Sequence, residues 1–327
     1  AAKRGNKRGM GKAVRTGGGV PPSPAAGRIR KNHRSGTVRG NLDAYLFISP
    51  FFLIFFLFTV APVVMSVCLS FTYYNILEAP AFVGWKNYVS LLLNDDLFMT
   101  ALKNTLFMAL ITGPAGYLAS LLFAWFINEL PSKLRALLVA VFYAPSISGN
   151  VYMIWSMMFN GDSYGYINSI LLKTGLIKVP VQWLTDPAYM MPVVILVVLW
   201  TSLGAGFLSF VAGFQTVDRT LYETGYVEGI KNRWQELWFI TLPYIRPQMM
   251  FGAVMSITAS FSIGDVTTAL CGFPSTDYAV HTVLNHMNDY GNVRFEMGYA
   301  CAIATVLFGM TVGINKLIQR ILSKVGS

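Results

Sequence analysis

Residues 45–71 read YLFISPFFLIFFLFTVAPVVMSVCLSF, 27 residues without one charge. About 20 apolar residues suffice to cross the roughly 30 Å of hydrocarbon in a bilayer, so this stretch is long enough to span. It is apolar on every face, whereas a helix on a soluble core keeps a polar side. A secretory signal is the alternative, but the run is far longer than an h-region and no small-residue cleavage site follows it; it is read as part of the mature protein. Five more charge-free runs follow: Asn104 to Ile127, Ala136 to Asn160, Ala188 to Val217, Pro247 to Gly264 with an uncharged extension beyond Asp265, and Met297 to Asn315. Buried helices of a soluble protein would not be so long, so many and so uniformly apolar. A length of 327 residues would otherwise suggest about two soluble domains. With 54% hydrophobic and 12% charged residues and a mean hydropathy of +0.51, the chain has more apolar surface than such a fold hides.

These runs predict an all-α membrane protein of six transmembrane helices, at about 45–71, 104–127, 136–160, 188–213, 246–270 and 297–318, within a transmembrane domain over 44–325. Before it, residues 1–43 form a Gly/Pro-rich segment without hydrophobic periodicity that carries 11 of the 25 Lys and Arg residues. That pattern reads as a disordered basic cytoplasmic tail. It accounts for much of the net charge of +10, so nucleic acid is not expected as a partner, and membrane lipid is. Anchoring to anionic lipid or RNA is the sharper reading of the tail; a solvated topology determinant is the one favoured. Six spans put both termini on one side. With the N-terminus inside, 20 basic residues lie inside against 5 outside, and 14 against 5 when the six before Pro21 are left out. The positive-inside rule then places both ends in the cytoplasm. The three cysteines, Cys68, Cys271 and Cys301, are too few and scattered for a disulfide framework or a paired metal site.

Transport requires close helix packing and breaks that open backbone groups to a cavity. Gly113, Gly116, Ser120 and Ala124 recur at three- and four-residue spacing in the second run and admit another backbone. In the third, Ala144-Pro145-Ser146-Ile147-Ser148-Gly149 predicts a kink or an unwound turn, because proline removes a donor. Around it, Tyr143, Ser146, Ser148, Asn150, Tyr152 and Trp155 combine aromatic faces with hydroxyl and amide groups, which suits a polyhydroxylated solute such as a sugar. The plainer reading is that Ser hydroxyls bond their own backbone and Tyr and Trp sit at interfaces. The fifth run offers Ser256, Thr258, Ser260, Ser262 and Asp265. An ionisable group beside a span is a functional candidate because burying it is costly, although Asp265 lies near the outer helix end, where water also accounts for it; Ser260 and Asp265 join the solute-contacting candidates. His281, His286 and Asp289 fall in the following outer loop with no spacing that completes a metal site, and read as ordinary surface residues. No enzyme signature is present: Gly11-Lys12 has Asn6 where a phosphate-binding loop needs glycine, and no G-x-S-x-G or HExxH occurs. No internal repeat suggests an inverted-repeat transporter in one chain.

The loop Asp218 to Arg246 is too amphipathic for a plain linker. Tyr222, Tyr226 and Ile230 recur at helical spacing beside Glu223, Glu228 and Lys231, predicting a short helix on the inner membrane face. A second helix is expected to start at Asn232, with Gln235 reaching back in a capping box, and to run through Trp234, Leu237, Trp238 and Phe239 toward Pro243; Gly229 supplies the turn between them.

Here the sequence resembles a known family. Glu223-Thr224-Gly225-Tyr226-Val227-Glu228-Gly229 with Ile240-Thr241-Leu242-Pro243 resembles the EAA loop of binding-protein-dependent ABC importer permeases, over 218–243. Further similarities lie in Phe82-Val83-Gly84-Trp85-Lys86-Asn87-Tyr88 with Phe98 and Asn104-Thr105, in Gly165-Tyr166-Ile167-Asn168, Gly175-Leu176 and Trp183-Leu184, and in Gly298-Tyr299-Ala300. Together they cover about Leu46 to Leu322 and are similar to the carbohydrate-uptake branch, in particular the first maltose or glycerol-phosphate permease. The chain departs from the pattern at Thr224-Gly225 in place of Ala-Ala, at Glu228 in place of Asp, and at Gly272-Phe273-Pro274 in place of Gly-Gly-Pro.

The resemblance implies a type I importer permease fold in a bacterial cytoplasmic (inner) membrane. It implies as partners a second homologous permease, two ATP-binding subunits and an extracytoplasmic solute-binding protein. No cofactor is expected in this chain, ATP and magnesium being bound by the ATPase partners, and no catalysis of its own. The coupling role falls to Glu223, Thr224, Gly225, Glu228, Gly229, Leu242 and Pro243, with Glu223 meeting a basic group in the ATPase cleft. A capping box Thr220-Leu221-Tyr222-Glu223 is the local alternative for Glu223. The implied function is import of a mono- or oligosaccharide by alternating access. The alternatives are a self-contained secondary transporter or channel, a non-transporting scaffold, and an ABC permease for a non-sugar solute.

Overall fold

A computed structural model describes residues 42–149 and 151–322. The basic tail, Asn150 and the last five residues lie outside the described residues. The chain divides into two compact units, Ala1–Phe56 and Leu57–Ser327.

The first unit holds α1 (Leu42–Phe55), and one π turn, Phe56–Val60, follows it in the chain. Every residue from Tyr45 to Phe56 is exposed, and Phe51 touches Phe52 edge-on and stacks on Phe55. Apolar side chains on all faces with no protein cover are what lipid accepts and water does not.

The second unit opens with α2 (Ala61–Leu69) and the short antiparallel pair β1 (Thr72–Tyr73) and β2 (Ala81–Phe82). Then come α3 (Lys86–Leu93), the long α4 (Asp96–Asn128), α5 (Ser132–Ile147), α6 (Val151–Met158) and α7 (Tyr166–Lys173). They are followed by α8 (Pro187–Thr201), α9 (Ala205–Thr216), α10 (Arg219–Val227), α11 (Arg233–Glu236), a π turn over Leu237–Thr241 and α12 (Leu242–Tyr244). The chain ends in α13 (Arg246–Phe261), α14 (Gly264–Cys271), α15 (Val283–Asn288) and α16 (Met297–Leu322).

Among the described residues four helical segments, Tyr45–Leu69, Asp96–Asn128, Pro187–Thr216 and Met297–Leu322, are long and apolar enough to cross a membrane, and the count reaches six if the bent pairs α5/α6 and α13/α14 are each one span. The second helix starts at Asp96 and not Asn104. Asp95 caps it, accepting from the Phe98 amide at 2.9 Å, and the exposed Lys103 interrupts the apolar run without interrupting the helix. The last helix likewise continues past its apolar run to Leu322. Both extensions have one cause: backbone hydrogen bonding does not stop where hydropathy does.

Helix α4, about 50 Å long at 1.5 Å per residue, is the axis of the second unit. Phe98 and Ala101 enter a core with Leu91, Val283 and Ile303. Met108 joins Met190, Val194, Val197 and Ile263. Leu121, Ala124 and Ile127 join Phe207, Phe210, Leu237 and Ile245. The small-residue stripe works as its spacing requires. A Cβ on Gly116 would lie 3.0 Å from Ser202 Cβ, and one on Gly113 would lie 3.2 Å from Ser260 Oγ. Ser256 Oγ donates to the Gly113 carbonyl at 2.8 Å, joining α13 to α4. Close backbone approach of this kind lets small residues hold membrane helices where no hydrophobic gain is available.

Candidate functional site

Three helix breaks meet around one cavity. Between α5 and α6 the chain bends by 86° after Ser148, whose backbone is extended; Pro145 remains inside α5, so the proline loosens the helix and the break follows within one turn. Helices α13 and α14 bend by 44° at Ser262 and Ile263. Neither this break nor the third was expected: the 188–213 run parts at Ser202-Leu203-Gly204, where Gly204 has non-helical angles. Its sequence signal was Thr201-Ser202-Leu203-Gly204-Ala205-Gly206, small and polar residues amid Val and Leu.

The cavity, about 440 Å³, includes Ser148, Ser202, Gly204, Ser262 and Ile263 from the breaks and Thr112, Tyr117, Ser120, Tyr143, Ser146, Tyr152, Thr201, Ser256 and Ser260 around them. None of its described lining residues is charged. Most hydroxyls donate to carbonyls of their own helix, as Ser146 to Tyr143 at 2.8 Å, Ser202 to Leu199 at 2.6 Å and Ser260 to Ser256 at 2.7 Å. The plainer reading accounts for these protons, and it leaves the oxygen lone pairs open as acceptors. Among the described residues the Tyr117 hydroxyl is buried without a partner and its ring meets Phe210 edge-on; sequence reading missed it because one tyrosine in an apolar run carries no periodicity.

Of the expected solute-contacting residues, Tyr143, Ser146, Ser148, Tyr152 and Ser260 come together here, and Asn150 lies outside the described residues. Trp155 is absent from the lining. Its ring meets Trp200 edge-on and stacks on Phe159, because α6 turns that face toward the core of α8. Asp265 is also absent from the lining; it is exposed in the first turn of α14, within electrostatic range of Tyr152.

The loop after α9 folds as two helices about Gly229, which has φ +99°, a conformation that glycine adopts without strain. Asn232 caps α11 by accepting from the Gln235 amide at 2.9 Å. The expected box is altered, since Gln235 Oε1 accepts from the Lys231 amide and not from Asn232. The Thr220 box is not formed. Asp218 caps α10 by accepting from the Thr220 amide at 3.0 Å, and the earlier helix start leaves Glu223 in mid-helix. Glu223, Thr224, Glu228, Gly229 and Pro243 are exposed, whereas Gly225 and Leu242 are buried. A Cβ on Gly225 would stand 2.6 Å from Ile240 Cδ1, so the isoleucine tip occupies the space of the missing methyl. Tyr222 and Thr241 hydroxyls lie 3.0 Å apart, and the π turn lets Thr241 Oγ1 donate to the Glu236 carbonyl. A cleft of about 780 Å³ beside these helices is lined by Glu129, Arg135, Arg219, Tyr222, Glu223 and Arg233 among others.

The histidines read as surface residues are buried, His281 at 3% and His286 at 0% exposure. Asp95, at the start of α4, accepts from His286 Nε2 and the Tyr299 hydroxyl, each at 2.9 Å, and His281 Nε2 faces His286 Nδ1 at 3.4 Å. Burial alone would raise the Asp95 carboxyl, but the Phe98 amide, His286 and Tyr299 hold it below its ordinary value. Burial and the neighbouring His286 push His281 down to about 4. Loop polarity misled the sequence reading, because partners 191 residues away bury these rings. Asp289 pairs with Arg294 at 2.6 Å. Among the described residues no cluster of three or more His, Cys, Asp or Glu could hold a metal ion.

The motif residues away from the loop turn out to be structural fasteners. The Asn168 side chain, fully buried, donates to the carbonyls of Asn160, Asp162 and Val181 and accepts from the Val181 amide and the Trp183 indole. Asn87 donates to the carbonyls of Ser70 and Thr72, and Gly298 abuts the Thr72 carbonyl.

No protein-family profile matches the chain. It is 31% identical over 309 residues to a probable ABC transporter permease protein, YesP, of Bacillus subtilis (strain 168), with 93% of this chain and 94% of the relative covered. It is 30% identical over 299 residues to AraP, the permease protein of an arabinooligosaccharide transport system from the same strain, covering 90% and 93%. To LacF, a lactose transport permease of Rhizobium radiobacter, it is 27% identical over 227 residues, covering 69% and 74%. Its fold matches a chain of a bacterial ABC transporter involved in the import of the acidic polysaccharide alginate, with a TM-score of 0.70 and 24% identity over 88% of this chain and 98% of the other. Agreement with YesP and AraP along nearly their whole length shows that the chain belongs to the ABC transporter permease proteins.

Proposed function

We propose that this chain is the permease subunit of an ATP-driven importer that moves a carbohydrate into the cytoplasm by alternating access. A permease protein of this family is a transport component and not itself an enzyme. One observation carries the solute class: three helix breaks converge on an uncharged cavity lined by hydroxyl and aromatic groups. Irregular backbone at membrane depth is tolerated where it lines a cavity, and acceptor-rich hydroxyls beside tyrosine rings suit a solute that is itself polyhydroxylated. In this reading Tyr143, Ser146, Ser148, Tyr152 and Ser260 contact the solute, with Asn150 beside them and Tyr117 added. Relatives named for arabinooligosaccharide and lactose transport support the same class.

The chain would lie in the bacterial inner membrane as six spans with both ends in the cytoplasm. The exposed helix α10 would then dock with Glu223 in an ATPase cleft, with Gly229 and Pro243 shaping the fold of the loop behind it. Its partners would be two ATPase subunits holding ATP and magnesium, a second homologous permease, and an extracytoplasmic solute-binding protein. A solved alginate importer is described in complex with a pentasaccharide-bound periplasmic protein, which supports the last of these. Nucleotide and loaded binding protein would bias one two-state helix assembly from opposite ends.

The test is a mild-detergent pull-down of the tagged chain from its host, with mass spectrometry and an ATP hydrolysis assay on the eluate. An ATPase and a second polytopic subunit should be recovered, and Glu223→Lys should abolish hydrolysis with membrane insertion normal. A homogeneous chain with no ATPase would turn the reading to a self-contained transporter or channel.

A further inference from the structure

Arg233, which entered the sequence reading only as one more basic residue, joins two parts of the molecule. Its Nη1 donates to Glu236 Oε2 at 2.8 Å and its Nη2 pairs with Glu129 Oε2 at 3.0 Å. Glu236 belongs to α11, and its side chain is only 4% exposed. Glu129 is the C-cap of α4, the helix that carries Thr112, Tyr117 and Ser120 in the cavity wall. A planar guanidinium presents several donors in fixed directions, so one arginine holds two carboxylates where a lysine offers a single point charge. The Trp125 and Trp234 rings, 4.8 Å apart, run beside the same connection.

On its far side α11 is continuous with the π turn, and that turn is fastened to α10 through the Tyr222–Thr241 hydroxyl pair and through Ile240 over Gly225. Helix α10, the π turn and α11 therefore form one block, and the Arg233–Glu129 pair is a polar tie from that block to the end of α4. A displacement of α10 reaches α4 through a charged contact as well as through the apolar packing of Leu237.

We propose that Arg233 is a positioning residue that passes movement of the docking helix α10 to α4, and so to the cavity wall. The proposal rests on the reading of α10 as the ATPase-docking helix. The decisive variant is Glu129→Gln, which removes the α4 arm and leaves Arg233 paired with the buried Glu236, so the loop stays folded. Reconstituted with its partners in vesicles, this variant should keep ATP hydrolysis while solute moved per ATP falls by about fivefold, the low end of typical coupling between sites. Arg233→Lys should give an intermediate ratio. An unchanged ratio in Glu129→Gln, with the ATPase present, would overturn the proposal and leave the proposed function standing. A wild-type preparation without any ATPase would overturn both.

Discussion

The cluster at the start of α4 and the cavity halfway along it are both rich in neutral polar side chains, Thr and Tyr among them, and bond most of them differently. In the cluster, polar groups bond across elements. Asn285 donates to the Gly264 carbonyl and to Thr268 Oγ1 and accepts from Thr267 Oγ1 and from the Thr282 amide and hydroxyl. Asn104 donates to the carbonyls of Tyr278 and His281, and Thr105 accepts from the Val283 amide. In the cavity, Ser146, Thr201, Ser202, Ser260 and Ser262 bond to carbonyls three or four residues back on their own helices, while Ser120 and Ser256 reach the Ser202 and Gly113 carbonyls across helices. A network tied between elements breaks only at the cost of buried unsatisfied groups. Local back-bonding ties nothing together and leaves the lone pairs free. One region is fastened between elements, and the other keeps most of its hydroxyl bonds within single helices.

The largest expected effect lies at the close contact of α16 with the β1 strand. A Cβ on Gly298 would fall 2.1 Å from the Thr72 carbonyl oxygen, a backbone atom that cannot turn aside. Gly298→Val should cost about 3 kcal/mol or more and deplete folded protein in detergent extracts, as read by size-exclusion chromatography. Normal accumulation would mean that this end of the molecule is softer than its geometry implies.

Next comes Asn285→Ala, which leaves several buried partners without a bond and should destabilise by about 2 to 3 kcal/mol, measured as a fall in thermal unfolding temperature. A change as small as that for a cavity serine would erase the contrast between the two regions.

Acid should act on the cluster in the same sense. His281 has a folded value of about 4, below its ordinary value of about 6.5. The unfolded chain therefore takes up the proton first, and stability is lost as the pH falls through that interval. By about pH 5 the loss should be about 2 kcal/mol. Asp95, also held below its ordinary value, contributes stability that disappears at lower pH still, as the medium passes its folded value. Thermal unfolding across this range should slope for the wild type and flatten for His281→Gln.

The smallest effect on stability belongs to the cavity. Ser146→Ala removes a hydroxyl bonded within its own helix, so the fold should change by less than about 0.5 kcal/mol. The solute concentration for half-maximal uptake should nonetheless rise about threefold to tenfold, the worth of one hydrogen bond. Unchanged uptake kinetics would remove Ser146 from the solute path and sharpen attention on Tyr117 and Tyr152.

The bend near Ser262 came from the structure; the sequence by itself determined where the apolar segments lie, the break after Pro145, the turn at Gly229 and the family to which the loop points. Each of these rests on a local property: hydropathy summed along one helix, a missing amide, or a φ angle open to glycine. Only the tertiary structure decided that His281 and His286 are buried, that Trp155 faces a core and not the cavity, that Asp218 and not Thr220 starts α10, and that Arg233 joins Glu129 to Glu236. Burial and pairing are relations between residues, and Asp95 with His286 spans 191 positions. No window of sequence holds both partners, so their meeting is settled only when helices pack.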